Sequence, residues 1–218
     1  PMALLATASG VALAAIGWAA LQQPAQPGEA GEQALARLPE IGIGNPVTGV
    51  LLAFRGYDTL LEMAVLLAAW LGARAVPVQA RPGALPGTAR VEIPLVGALL
   101  SLVVPICMVV AVYLLRAGGT APGGAFQGGA VLAASGVLLC LAGRLQPAAE
   151  TDLLHRIGLV AGLAVFSGTG LAMLLAGQPM LSLPGNWAIH LIETALLVSI
   201  ALTLVLLFAS APGLRRRP

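Results

Sequence analysis

Charge is what this chain has least of: Asp, Glu, Lys and Arg make up 9% of its 218 residues, against 58% hydrophobic. A soluble surface needs roughly a quarter to a third of charged residues, so a mean hydropathy of +0.93 excludes an ordinary water-facing globule. Lysine is missing altogether, and all eleven positive residues are Arg. The two cysteines, Cys107 and Cys140, each stand alone in an apolar stretch. Without CxxC or Cys/His spacing they form neither a metal site nor a redox pair and read as small buried hydrophobes. No nucleophile with a base, haem-ligand pair, iron–sulfur spacing or zinc motif occurs. An enzyme is therefore not expected, and no cofactor is implied.

What is present is hydrophobic length. Spanning ~30 Å of hydrocarbon takes about 20 mostly apolar residues, and six windows qualify: residues 3–21, 50–76, 95–115, 126–142, 157–175 and 187–209. The predicted fold is all-α, an integral membrane protein with six transmembrane helices, two followed by four. Residues 3–21 lack the basic leading region of a secretory signal, so they are expected to remain as a helix. The four prolines and two arginines between 77 and 94 read as an exposed connector. It separates a first module, residues 1–85, with an outer loop at 22–45, from a second at 92–211. No inverted internal repeat is visible, which argues against a self-sufficient carrier.

Arginine placement orients the chain. With the N-terminus inside and six spans, the inner loops and tail hold Arg74, Arg81, Arg90, Arg144, Arg156, Arg215, Arg216 and Arg217, and the outer side holds Arg37, Arg55 and Arg116. By the positive-inside rule both termini are cytoplasmic. The run at 215–217 is a topology anchor rather than a nucleic-acid patch, and no nucleic-acid partner is expected.

The few charges within the windows are candidates for function, since a charge near the bilayer centre costs on the order of 3 kcal/mol or more and calls for a protein partner or a wet path. Arg55, Asp58 and Glu62 fall at i, i+3 and i+7, on one helix face. They form either a proton or cation relay with Glu62 as its titratable group, or a structural ion pair that locks helices together. His190 and Glu193, three apart, also share a face; they suit proton entry or cation dehydration, or a structural pairing. Pro105 removes a helical amide donor in the third window and is expected to kink it. Gly158 and Gly162 form a close-packing pair in the fifth. The run from Gly118 and Gly119 through Pro122, Gly123 and Gly124 to Gly128 and Gly129 lacks the Lys-Ser/Thr ending of a phosphate loop. It reads as irregular backbone entering a close-packed helix.

That run, Leu114-Leu115-Arg116-Ala117-Gly118-Gly119-Thr120-Ala121-Pro122-Gly123-Gly124-Ala125-Phe126-Gln127-Gly128-Gly129, resembles the RGHNAPGGGFIGG signature of the B subunit of Mrp-type multisubunit cation/proton antiporters. Ala117-Gly118-Gly119-Thr120 stands where Gly-His-Asn is common, and the resemblance runs from about Glu92 to Ala211. The first module is similar to an adjacent piece of the same machinery. Asn45-Pro46-Val47-Thr48, followed by the segment from Phe54 to Glu62, resembles the carboxy-terminal part of the large Mrp A subunit and the small E-type subunit of membrane-bound hydrogenases. Leu61 replaces the usual Gly.

The two resemblances together imply a fusion, and a non-catalytic subunit of a multi-pass assembly in the bacterial inner membrane. Its partners would be other Mrp-like membrane subunits, lipid, and Na+ or another monovalent cation exchanged for H+. Glu62 occupies the position that the family is thought to use in its sodium or proton path. A related energy-converting complex with a separate redox arm would use the same modules. The competing reading is a purely structural interaction subunit whose charges only hold helices together.

Overall fold

The computed structural model describes residues 29–75, 94–145 and 153–210, with scattered positions between 7 and 22. Of the first window only those scattered positions are described, and they are helical. Most of the 77–94 connector, including Arg81 and Arg90, lies outside the described residues, as do Arg215, Arg216 and Arg217. Among the described residues every regular element is a helix: α1 Glu29–Ile41, a short helical turn Pro46–Thr48 running into a π-helical stretch Gly49–Phe54, α2 Gly56–Ala75, α3 Pro94–Ala117, α4 Ala125–Leu141, α5 Leu153–Leu175 and α6 Asn186–Ala209. The chain divides into two compact units, Pro1–Ala36 and Arg37–Pro218.

Four of these helices, α2, α3, α5 and α6, are long and apolar enough to cross a membrane, whereas α4 is apolar but only 17 residues long. Membrane helices are the right reading for α3 in particular. Leu95, Leu99, Leu102, Val109 and Tyr113 are all exposed on it, a stripe that water would not tolerate and lipid solvates.

Two expectations are corrected. The outer loop expected at 22–45 contains α1. Its sequence is rich in Ala, Glu and Leu, strong helix formers, and Leu38 is buried. The second window is not one helix either. Its first part winds as the π-helical stretch, with the Arg55 amide donating to Val50 O at 2.7 Å, and the chain breaks at Arg55 before α2 begins. The Thr59 hydroxyl then donates to Leu51 O at 2.8 Å and ties α2 back to the stretch it left. Arg55 therefore precedes α2 instead of sharing its face with Asp58 and Glu62. α3 remains a single helix through Pro105.

Helix α6 is the hub, packed against α4, α5 and α2. Ala188, Ile189, Ile192, Leu196 and Ile200 on it are essentially closed to solvent. Glycines let its neighbours come close. A Cβ on Gly129 of α4 would sit 2.9 Å from Ile200 Cγ2, and one on Gly162 of α5 would sit 2.9 Å from Ser199 Cβ. The close-packing pair expected at Gly158 and Gly162 thus faces α6, with Gly158 against Leu202. Ser199 uses the proximity to donate its hydroxyl to Leu159 O. Gly168, by contrast, has open space where its Cβ would be.

This packing makes a direct forecast. Gly162→Val should destabilise the purified protein by about 1–3 kcal/mol, the usual cost of overpacking, while Gly168→Ala should leave it unchanged or slightly firmer. Thermal unfolding of both variants in detergent measures the contrast.

Candidate functional site

The site is built where α3 ends. Its last turn closes with the amides of Gly118 and Gly124 both donating to Leu114 O, at 3.1 and 2.8 Å. Residues 118–124 thus form a tight non-helical loop that brings the chain back to the start of α4. Gly124 adopts φ +118°, a conformation side chains rarely accept. A Cβ on Gly118 would lie 2.7 Å from Gly124 Cα, so the two arms of the loop touch backbone to backbone.

Such a loop leaves carbonyls that no helix satisfies. They are satisfied from a segment about seventy residues earlier. The amides of Gly44 and Asn45 both donate to Gly119 O at 3.0 Å. Asn45 Nδ2 lies within bonding distance of Gly118 O and Ala121 O, both at 2.9 Å, and of Thr48 Oγ1 at 3.1 Å. The Thr48 hydroxyl donates to Gly118 O as well. Asn45 is itself fixed, because its Oδ1 accepts the Val47 amide at 3.1 Å and caps the turn that follows. Both side chains are buried, Asn45 at 6% and Thr48 at 5% exposure. Pro46 at the first position of the turn has no amide to leave unpaired.

Beneath the loop lies Glu193 of α6, 4% exposed. Its carboxylate accepts the backbone N–H of Ala125 at the start of α4. Its Oε1 sits 3.3 and 3.2 Å from where Cβ atoms on Gly118 and Gly124 would be. Side chains at those positions would crowd the acid. Oε2 is buried and has no hydrogen-bond partner among the described residues. His190, one turn earlier and half-buried, reaches the same loop, its Cε1 being 3.9 Å from the Cβ position of Gly119. The structure therefore brings together His190, Glu193, Gly118, Gly119 and Gly124.

Gly123 lies against Leu114 O, and Gly128 and Gly129 continue the run along α4, where Gly128 packs against Ala111 O and Leu197. Pro122 is exposed on the loop. Arg55, Asp58 and Glu62 lie elsewhere, around the start of α2. Arg55 forms an ion pair with Asp58, with side-chain exposures of 66% and 45%, and Glu62 is exposed. No group of three or more His, Cys, Asp or Glu side chains able to hold a metal ion occurs among the described residues. Asn45 and Thr48 had no site role in the sequence reading. The signal was there in their motif, an Asn directly before a Pro that opens a turn.

A family model described as a domain related to the MnhB subunit of Na+/H+ antiporter matches residues 95–212. The chain belongs to this family. The matched region takes in nearly all of α3 and the whole of α4, α5 and α6, hence both the glycine loop and Glu193, while Asn45, Thr48 and the charges around α2 precede it. A solved structure, titled "Structure of Mrp complex from Dietzia sp. DQ12-45-1b", is similar in fold over 99% of this chain, with a TM-score of 0.68 at 23% identity. The chain spans about a quarter, 26%, of the length of the solved chain it matches. No curated protein matches it. The chain is thus an all-helical, multi-pass membrane protein of the MnhB-related family.

The loop geometry gives a test of its own. Gly124→Ala must force an unfavourable backbone and press a methyl group against the Glu193 carboxylate, so it should cost about 1–3 kcal/mol. Purified yield and melting temperature should both fall, and a variant as stable as the native protein would contradict the packing described.

Proposed function

We propose that this chain is a non-catalytic membrane subunit of an Mrp-type cation/proton antiporter, or of a related energy-converting complex, and that it contributes Glu193 and Glu62 to a sodium/proton path. The observation that carries the reading is the Glu193 carboxylate, buried in the most enclosed helix with one oxygen unpartnered. Buried polar groups are nearly always hydrogen-bonded, and ionisable groups in membrane helices are costly unless they serve a path or a partner. A small cation or a proton is the complement that an acid in such a position can take. His190 beside it would relay or hydrogen-bond the incoming species.

Glu62 supports the same reading from another side. It lies ~9 Å along α2 at ~1.5 Å per residue and is exposed on this chain, so it needs a neighbouring subunit or a wet channel rather than lipid. That fits an assembly with other Mrp-like membrane subunits, with Na+ or another monovalent cation and H+ as the exchanged ions. The fusion of an A- or E-type module at 1–85 with a B-type module at 92–211 is supported by a fold likeness that runs well beyond the family match, within one chain of the Mrp complex. On this reading six helices span a bacterial inner membrane and both termini are cytoplasmic. The Arg55 and Asp58 pair favours a structural role for those two residues, since each already holds its counter-ion. Carried to all the charges, that is the alternative of a purely structural subunit.

Sodium-dependent proton flux in membrane vesicles holding the assembled complex separates the readings. Glu193→Gln and Glu62→Gln keep size and hydrogen bonding and should slow flux by about 10²-fold or more without loss of assembly. Native flux for both variants would leave the structural role. Reporters placed within 77–94 and after Leu214 should both be reached from the cytoplasmic side, and a reporter after Leu214 reached only from outside would overturn the topology.

A further inference from the structure

We infer that Asn45 is a positioning residue for Glu193: together with Thr48 it holds the main chain of residues 118–121 as a fixed cover over the carboxylate. The inference rests on the proposed role of Glu193 and adds residues outside the family-matched region to its site. The geometry is specific. At Gly118 the Cα side is turned to Glu193 Oε1, while the carbonyl is held by Asn45 Nδ2 and the Thr48 hydroxyl.

Gly119 likewise presents its Cα side toward His190, and its carbonyl accepts two amides from Gly44 and Asn45. With these carbonyls tied up, the loop turns the Cα groups of Gly118 and Gly124 toward the acid, which accepts the Ala125 N–H. Without Asn45 and Thr48, a stretch holding two adjacent glycines would lose its side-chain anchors. Its carbonyl dipoles would be free to turn toward the carboxylate they now avoid, or to let water reach it. Asn45 touches no atom of Glu193, so its influence passes through the loop.

The test uses the assembled complex in its own membranes and two readouts. The first is modification of Glu193 by a hydrophobic carbodiimide, quantified by mass spectrometry of the peptide carrying it. The second is the cation concentration that half-saturates proton flux. Asn45→Ala should raise Glu193 modification about fivefold or more, about fivefold being the population change for each net hydrogen bond to the loop that is lost. It should also shift half-saturation more than maximal flux.

Thr48→Val, which removes the hydroxyl but keeps the shape, should move both readouts the same way, and Thr48→Ser, which restores the hydroxyl, should return them to native values. Native modification and half-saturation in assembled Thr48→Val and Asn45→Ala complexes would overturn the inference. If Asn45→Ala does not assemble, the Thr48 pair decides: a Val effect that Ser does not share supports positioning, and no difference between them overturns it. Because modification is read without transport, increased labelling alongside native flux in Glu193→Gln would keep the cover and remove only the transport role of the acid.

Discussion

A main-chain carbonyl in an apolar environment has to find a donor, and this constraint organises the whole centre of the molecule. α3 stops at Ala117, and α4 does not begin until Ala125. The loop between them draws its hydrogen-bond partners from the protein itself. Leu114 O takes up two of its amides, and Asn45, Thr48 and the Gly44 amide supply donors to its carbonyls. Everything that makes the site follows from that arrangement. The loop is narrow because its arms touch, the arms touch because Gly118 and Gly124 have no side chains, and the acid of α6 fits beneath because those same two residues leave its space empty.

The same economy of side chains shapes the packing around α6. In lipid there is little hydrophobic gain in bringing two apolar helices together, and close van der Waals contact does the work instead. Gly128 and Gly129 on α4, and Gly158 and Gly162 on α5, let two neighbours approach the same central helix from different sides. α6 can then be apolar over nearly its whole circumference and still carry one acid, because Glu193 is placed where the loop, rather than another helix, meets it.

Much of this was legible in the sequence. Hydropathy located α3, α4, α5 and α6 to within a few residues, because a long apolar helix is a simple signal. The glycine run and the shared face of His190 and Glu193 were visible too, one as composition and the other as helical spacing. Three features were not. The helix Glu29–Ile41 was hidden because its polar composition resembles a loop until Leu38 is seen to pack. The break at Arg55 arises from a π-helical stretch, which has no apolar signature of its own. The bond between Asn45 and Gly118 joins residues 73 apart, and nothing in local spacing announces a pairing of that range. For the same reason the sequence drew attention to Glu62 over Glu193: three charges in a row are conspicuous, whereas enclosure is a property only of the folded chain.

The shortness of α4 has a mechanical consequence. At ~1.5 Å per residue its 17 residues reach about 25 Å, less than the ~30 Å hydrocarbon thickness that its longer neighbours match. A short helix flanked by long ones creates hydrophobic mismatch, which a bilayer meets by thinning or by letting polar backbone sink below the headgroups. Here the chain preceding α4 is the glycine loop, so the height that further helical turns would supply is taken up by main chain whose carbonyls are held by Gly44, Asn45 and Thr48.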